Sequence, residues 1–162
     1  MVDNKNINEN EENIIPTAED VRTCADAALV LIRFSANSRK MLEDKLIKKG
    51  FSRDVVKIAL DNLEKGGFIN DKHLLYAHAF RLATVKYYGR YRIKLDLCRK
   101  FHKDTVNKYI DGALEDVNFE ECAEKLAMKF SSYGMDYVCS KLRRNGYTTQ
   151  EIRYAVRNIE TK

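Results

Sequence analysis

The chain has 162 residues, is 44% hydrophobic and 33% charged, and carries a formal net charge of +5. That length suffices for a real core, while the charge is high for a compact globule. No apolar run approaches the roughly 20 residues a membrane helix needs, and the acidic, polar start is unlike a secretory signal, so a soluble, cytoplasmic protein without membrane contact is expected.

Taken in chain order, residues 1–16 read as a tail. Residues 1–20 carry Asp3, Glu9, Glu11, Glu12, Glu19 and Asp20 against Lys5 alone, so the remainder is more basic than the total implies. Rich in asparagine and poor in apolar residues, positions 1–15 predict disorder. Pro16 and Thr17 then open a helix over 18–36, with Glu19 and Asp20 in its positive first turn.

Beyond it, apolar residues return every three and four positions, as in Val56, Ala59, Leu60 and Leu63, the signature of one buried helical stripe. Helices are expected at 39–49 and 53–65, then at 71–87, 90–100 and 103–115, and finally at 119–132, 135–145 and 149–160. Gly50 and Gly146 suit the left-handed position that closes a helix, and Ser52 and Thr148 suit the cap of the next. Phe51 and Tyr147 precede those caps as hydrophobic staples on Val56 and Ile152, and Thr148 with Glu151 makes a capping box.

These helices form a repeat. Lys45, Leu46, Gly50, Phe51, Ser52, Val56 and Leu60 recur as Lys141, Leu142, Gly146, Tyr147, Thr148, Ile152 and Val156. A worn copy lies between, with Ile93, Leu97, Val106 and Ile110 in register once the turn glycine is deleted, so that Lys49, Gly50, Phe51 becomes Lys100, Phe101. The expected fold is all-α: three tandem three-helix repeats at 17–67, 68–116 and 117–162, forming an elongated, curved rod. One triplet buries too little apolar surface alone, so neighbouring triplets are expected to share faces.

No catalytic constellation emerges. His73, His78 and His102 lack metal-binding helical spacing, no glycine-rich loop follows a strand, and no serine or cysteine has a motif-borne base. Cys24, Cys98, Cys122 and Cys139 form no CxxC pair and read as reduced core thiols. The chain is expected to be neither an enzyme nor a cofactor or metal carrier.

The basic charge is the signal that remains. Arg81, Lys86, Arg90, Arg92, Lys94, Arg99, Lys100, Lys103 and Lys108 stand against only Asp96 and Asp104 in one window. Ile93 and Leu97 define the buried side of the helix at 90–100, so Arg92 and Arg99 point away from it. Lys48, Arg99 and Arg144 take the same place in the three units, two residues past a core leucine and thus about 200° around the helix. A steady stack would set them in a row suited to a long anionic or polymeric partner. Tyr76, Tyr87, Tyr88, Tyr91 and Tyr109 interleave this region and could stack on bases, but Tyr91 aside several fall near unit junctions, and core or junction packing is the expected role. The candidate contact set is Lys48, Arg81, Lys86, Arg90, Arg92, Lys94, Arg99, Lys100 and Arg144.

The run from Arg39 to Phe51, the junction Gly66, Gly67, Phe68, Ile69, Asn70, Asp71 leading to Tyr76 and Ala77, and the step Gly89, Arg90, Tyr91, Arg92, Ile93 resemble the RecX family of bacterial recombination regulators. The resemblance spans about residues 25–160. It implies tandem three-helix repeats and a non-enzymatic regulator that lodges in the groove of the RecA filament on single-stranded DNA; a monomer is taken as the default state. Such a regulator would oppose recombinase, ATPase and coprotease activities, and so bear on DNA repair and the SOS response, with weak electrostatic contact to the single strand. The chain departs from the family pattern at Phe101 and His102, where a glycine is customary, and in its acidic tail.

Two other readings stand beside this one. A nucleic-acid-binding helical-repeat module acting without RecA would use the last two helices of a unit as a helix-turn-helix, although only Arg53 and Gln150 suit base reading there. A helical-repeat adaptor would hold a peptide in its concave face and ignore both DNA and RecA.

Overall fold

The computed structural model describes residues 16–160, and the expected acidic tail lies outside them. Within that span the chain forms nine α-helices and one short 3₁₀ turn, with no strand. The first three are α1 (Ala18–Phe34), α2 (Arg39–Lys48) and α3 (Arg53–Lys65); α4 (Asp71–Thr84), α5 (Arg90–Lys100) and α6 (Lys103–Ala113) follow. After α7 (Phe119–Lys129) comes the 3₁₀ turn Ser131–Tyr133, then α8 (Met135–Arg144) and α9 (Thr149–Glu160).

Local chemistry sets the helix ends. Thr17 and Asp20 form a reciprocal capping box at α1, as do Thr148 and Glu151 at α9. Ser38, Ser52, Asn70 and Asn118 each accept a hydrogen bond from a first-turn N–H. At the end of α2, Phe51 N donates to Leu46 O and Gly50 N to Ile47 O, with Gly50 at φ 97°; Tyr147, Leu142, Gly146 and Arg143 repeat the pattern after α8. Both are paired closures that a glycine makes accessible. The middle turn lacks the glycine and closes differently. Phe101 is extended at φ −121° and its ring is fully buried, so a large side chain does the anchoring there.

Packing follows one rule three times: α1 lies on α3, α4 on α6 and α7 on α9. The cores do not follow it. Cys24, Ala28, Leu42, Leu46, Val56 and Leu60 belong to one core that stays within the first triplet and reaches only Ile69 beyond it. A second core runs unbroken from Leu75 through Ile93, Phe101 and Val106 to Leu126, Leu142 and Ile152. Sharing of faces between neighbours, expected at both boundaries, therefore holds only between the second and third triplets.

The boundaries explain the difference. At both, the start of one triplet's middle helix meets the end of the next triplet's middle helix. Such head-to-tail contact sets a positive helix N-terminus against a negative C-terminus. Between α5 and α8 the approach is backbone to backbone: Gly89 N donates to Asn145 O at 2.8 Å, and a Cβ on Gly89 would sit 2.3 Å from Gly146 O. Between α2 and α5 a serine replaces that glycine, and the Ser38 hydroxyl donates to Lys100 O. Around it the contacts are polar. Lys40 Nζ donates to Cys98 O at 2.9 Å, Arg39 N to the Asp71 carboxylate at 2.9 Å, and His102 Nε2 lies 2.8 Å from Glu43.

Candidate functional site

The basic residues of α5 sit on a helix anchored by Ile93 and Leu97, both buried. Its first turn holds no acidic residue, so Arg90 and Arg92 add to the positive end of the helix instead of offsetting it. That arrangement works against helix stability and points to a function for the charge.

The structure divides the candidate set. Arg99 is 74% exposed and its Nη1 lies 3.4 Å from Asp96; Arg92 is 40% exposed, with Nε 3.5 Å from the same carboxylate oxygen. The Arg92 guanidinium also lies 5.3 Å from the centre of the Tyr88 ring. Asp96 thus offsets the two arginines expected to be the freest, and Arg92 is not the fully solvent-facing cation its spacing suggests.

Arg81, Arg99 and Lys100 meet around a cavity of about 210 Å³ with His78 and Asp96. Burial, and secondarily the charges of Lys100 and Arg81, hold the His78 imidazole below its ordinary pKa. His78 stands edge-on to Phe101, so it belongs partly to the core.

A second cavity, of about 420 Å³, opens where α5 meets the turn after α8. Arg90, Tyr91 and Lys94 face Arg143 and the turn from Gly146 to Thr148. Arg90 stacks on Phe119 at 4.7 Å, and among the described residues no carboxylate pairs with Arg90, Lys94 or Arg143. Tyr91 is 68% exposed, while Tyr76, Tyr87, Tyr88 and Tyr109 pack against the core as expected.

Arg143 was not a sequence candidate. Nothing local marks it, because it joins the group only through a helix contact some fifty residues away from Arg90. Lys48 and Arg144 are exposed at the ends of α2 and α8, and neither lines either cavity; Lys86 is exposed just past α4. Cys24 and Cys122 are buried, and Cys98 and Cys139 half-buried, all as free thiols. Among the described residues no cluster of His, Cys, Asp and Glu is arranged to hold a metal, and no helix is long and apolar enough to cross a membrane.

No family model matches the chain. It is 32% identical over 108 residues to the regulatory protein RecX of Clostridium perfringens, covering 65% of this chain and 49% of that protein. To the regulatory protein RecX of Clostridium botulinum it is 27% identical over 124 residues, 76% of this chain and 57% of the relative. The crystal structure of RecX from Lactobacillus salivarius superposes with a TM-score of 0.72 at 21% identity, over 90% of this chain and all of that one. A second crystal structure, of a regulatory protein RecX, gives 0.75 at 19% identity, over 85% of this chain and 72% of its own.

The chain resembles the RecX family in sequence and in fold.

It spans about half the length of the curated RecX relatives it matches. The all-helical architecture is that of the solved RecX structures. The Gly89-to-Ile93 step that marks the RecX resemblance has a physical role here, since Gly89 is where the α5 backbone touches the turn after α8.

Proposed function

We propose that this chain is a non-enzymatic regulator of the RecA recombinase, acting in the cytoplasm as a monomer. Three helix triplets form a curved rod that lies in the groove of the RecA filament on single-stranded DNA. There it opposes recombinase, ATPase and coprotease activities, and through them DNA repair by recombination and the SOS response. The relationship to proteins named regulatory protein RecX carries this reading. The basic surface supports it: a rod touching several protomers at once adds many weak, partly electrostatic contacts into useful affinity, and blocks their movement or addition.

Arg90, Lys94, Arg99 and Lys100 are the first contact candidates, with Lys48, Arg81, Lys86, Arg92 and Arg144 around them. The test is the single-stranded-DNA-dependent ATPase of RecA from the same organism, in physiological salt, with this protein added at increasing ratios. Inhibition well below one molecule per RecA is expected, and loss of that inhibition in an Arg90→Glu, Lys94→Glu double variant that keeps its helicity. Unchanged ATPase with intact filaments would overturn the reading.

A further inference from the structure

The pocket between α5 and the α8–α9 turn has features that a filament-binding surface alone does not need. Its lining is mostly apolar and includes the turn from Gly146 to Thr148 and an exposed aromatic ring, Tyr91. Three cations, Arg90, Lys94 and Arg143, surround it with no carboxylate partner among the described residues. By contrast, the cavity at the other boundary, lined by Arg39, Glu64, Asp71, Lys72, Asp104 and Lys108 among others, mixes both signs.

We propose that this pocket takes one nucleotide of a single nucleic-acid strand, with its base stacked on Tyr91 and its flanking phosphates held by Arg90, Lys94 and Arg143. The chemistry is that of single-strand binders in general, where a sequence-tolerant aromatic platform stands beside cations that track the backbone. A ring exposed on a first turn loses little on burial by a base and keeps its place through the helix. The α5 N-terminus adds its own positive field, undiminished by any acidic residue in the first turn. An acidic protein surface could also use the cations and the ring; a strand is favoured because the ring and all three cations line one pocket, as a base and its flanking phosphates require. The inference deepens the regulator reading by naming what α5 touches in the groove, and it is tested without RecA so that the two fail separately.

The experiment is anisotropy of a short fluorescein-labelled oligodeoxythymidylate with the full chain alone, across a salt series, for the parent and for Tyr91→Ala, Tyr91→Phe and Arg143→Gln. Tyr91→Ala is expected to weaken binding on the order of tenfold at every salt concentration with an unchanged salt slope, and Tyr91→Phe to restore it. Arg143→Gln is expected to make the salt slope shallower by about one ion. Photocrosslinking with an iodouracil-substituted strand is expected to attach at Tyr91. Equal affinity of Tyr91→Ala and parent, or crosslinks that map elsewhere, would overturn the pocket even if RecA inhibition persists. Tyr91→Ala that binds the strand normally but no longer inhibits RecA would overturn it too, and would make the pocket a protein contact.

Discussion

The two boundaries between helix triplets use one geometry with opposite chemistry. Where α5 meets α8, two glycine backbones touch and an apolar core runs through; where α2 meets α5, a serine hydroxyl, a histidine–glutamate pair and an arginine hold two separate cores together. Hydrophobic burial scales with continuous apolar area, whereas the other boundary is joined by directed polar contacts, among them those of the buried Ser38 and Asp71. The first triplet is therefore joined to the rest by contacts specific in direction and not by shared apolar area. The last two triplets share one continuous core and are expected to unfold together.

The comparison breaks most visibly at the core. Phe101→Ala removes a fully buried ring and is expected to destabilise by about 3 to 5 kcal/mol. Hydrogen exchange should rise from α4 through α9 and leave α1 to α3 protected, while Leu60→Ala should do the reverse. Uniform loss of protection in either variant would refute two separate cores.

The glycine contact comes next. Gly89→Ala places a Cβ against backbone that cannot turn aside, and about 2 to 3 kcal/mol is expected to be lost in denaturant titration. Ser38→Ala, at the matching place of the other boundary, gives up one side-chain hydrogen bond and a cap, about 1 kcal/mol.

A smaller effect is expected at Arg39. Its guanidinium reaches Asp61 and Glu64 at 2.6 Å each and Glu43 at 3.1 Å, but Asp61 and Glu64 are 42% and 49% exposed, so solvent screens much of the attraction. Arg39→Met should cost about 1 kcal/mol and speed exchange in α2 without changing α7 to α9.

The smallest effect is a pH slope. His78 has a lowered pKa in the folded protein, so the unfolded chain binds the proton more readily. Stability from the neutral imidazole is present above the ordinary histidine value of about 6.5 and declines as pH falls through it. His78→Gln should flatten that part of a stability-against-pH curve; an unchanged slope would assign it elsewhere.

Helix starts were legible in the sequence, and helix ends less so. The expected starts at 18, 39, 53, 71, 90, 103, 119, 135 and 149 coincide with those observed, because most are set by a capping side chain acting within three residues. Expected ends run past the true ones by two or three residues at 34, 84, 113 and 129, and by one at 48 and 144. After Thr84 the chain leaves the helix to pass Tyr87, at φ 51°, into the contact with Asn145, and only the distant partner requires that. Among site residues, the basic character of α5 was readable from composition. The offset of Arg92 and Arg99 by Asp96 was in principle readable from their i, i+4 and i, i+3 spacing.

By itself the sequence determined the helices, their caps, the recurrence of their pattern and the RecX resemblance, because residue type and spacing along the chain carry each of them. Tertiary structure alone decided that one boundary is apolar and the other polar, and that Arg143 stands with Arg90, Lys94 and Tyr91. Both follow from how closely two helix ends approach, and that distance is set by a glycine in one place and a serine in the other.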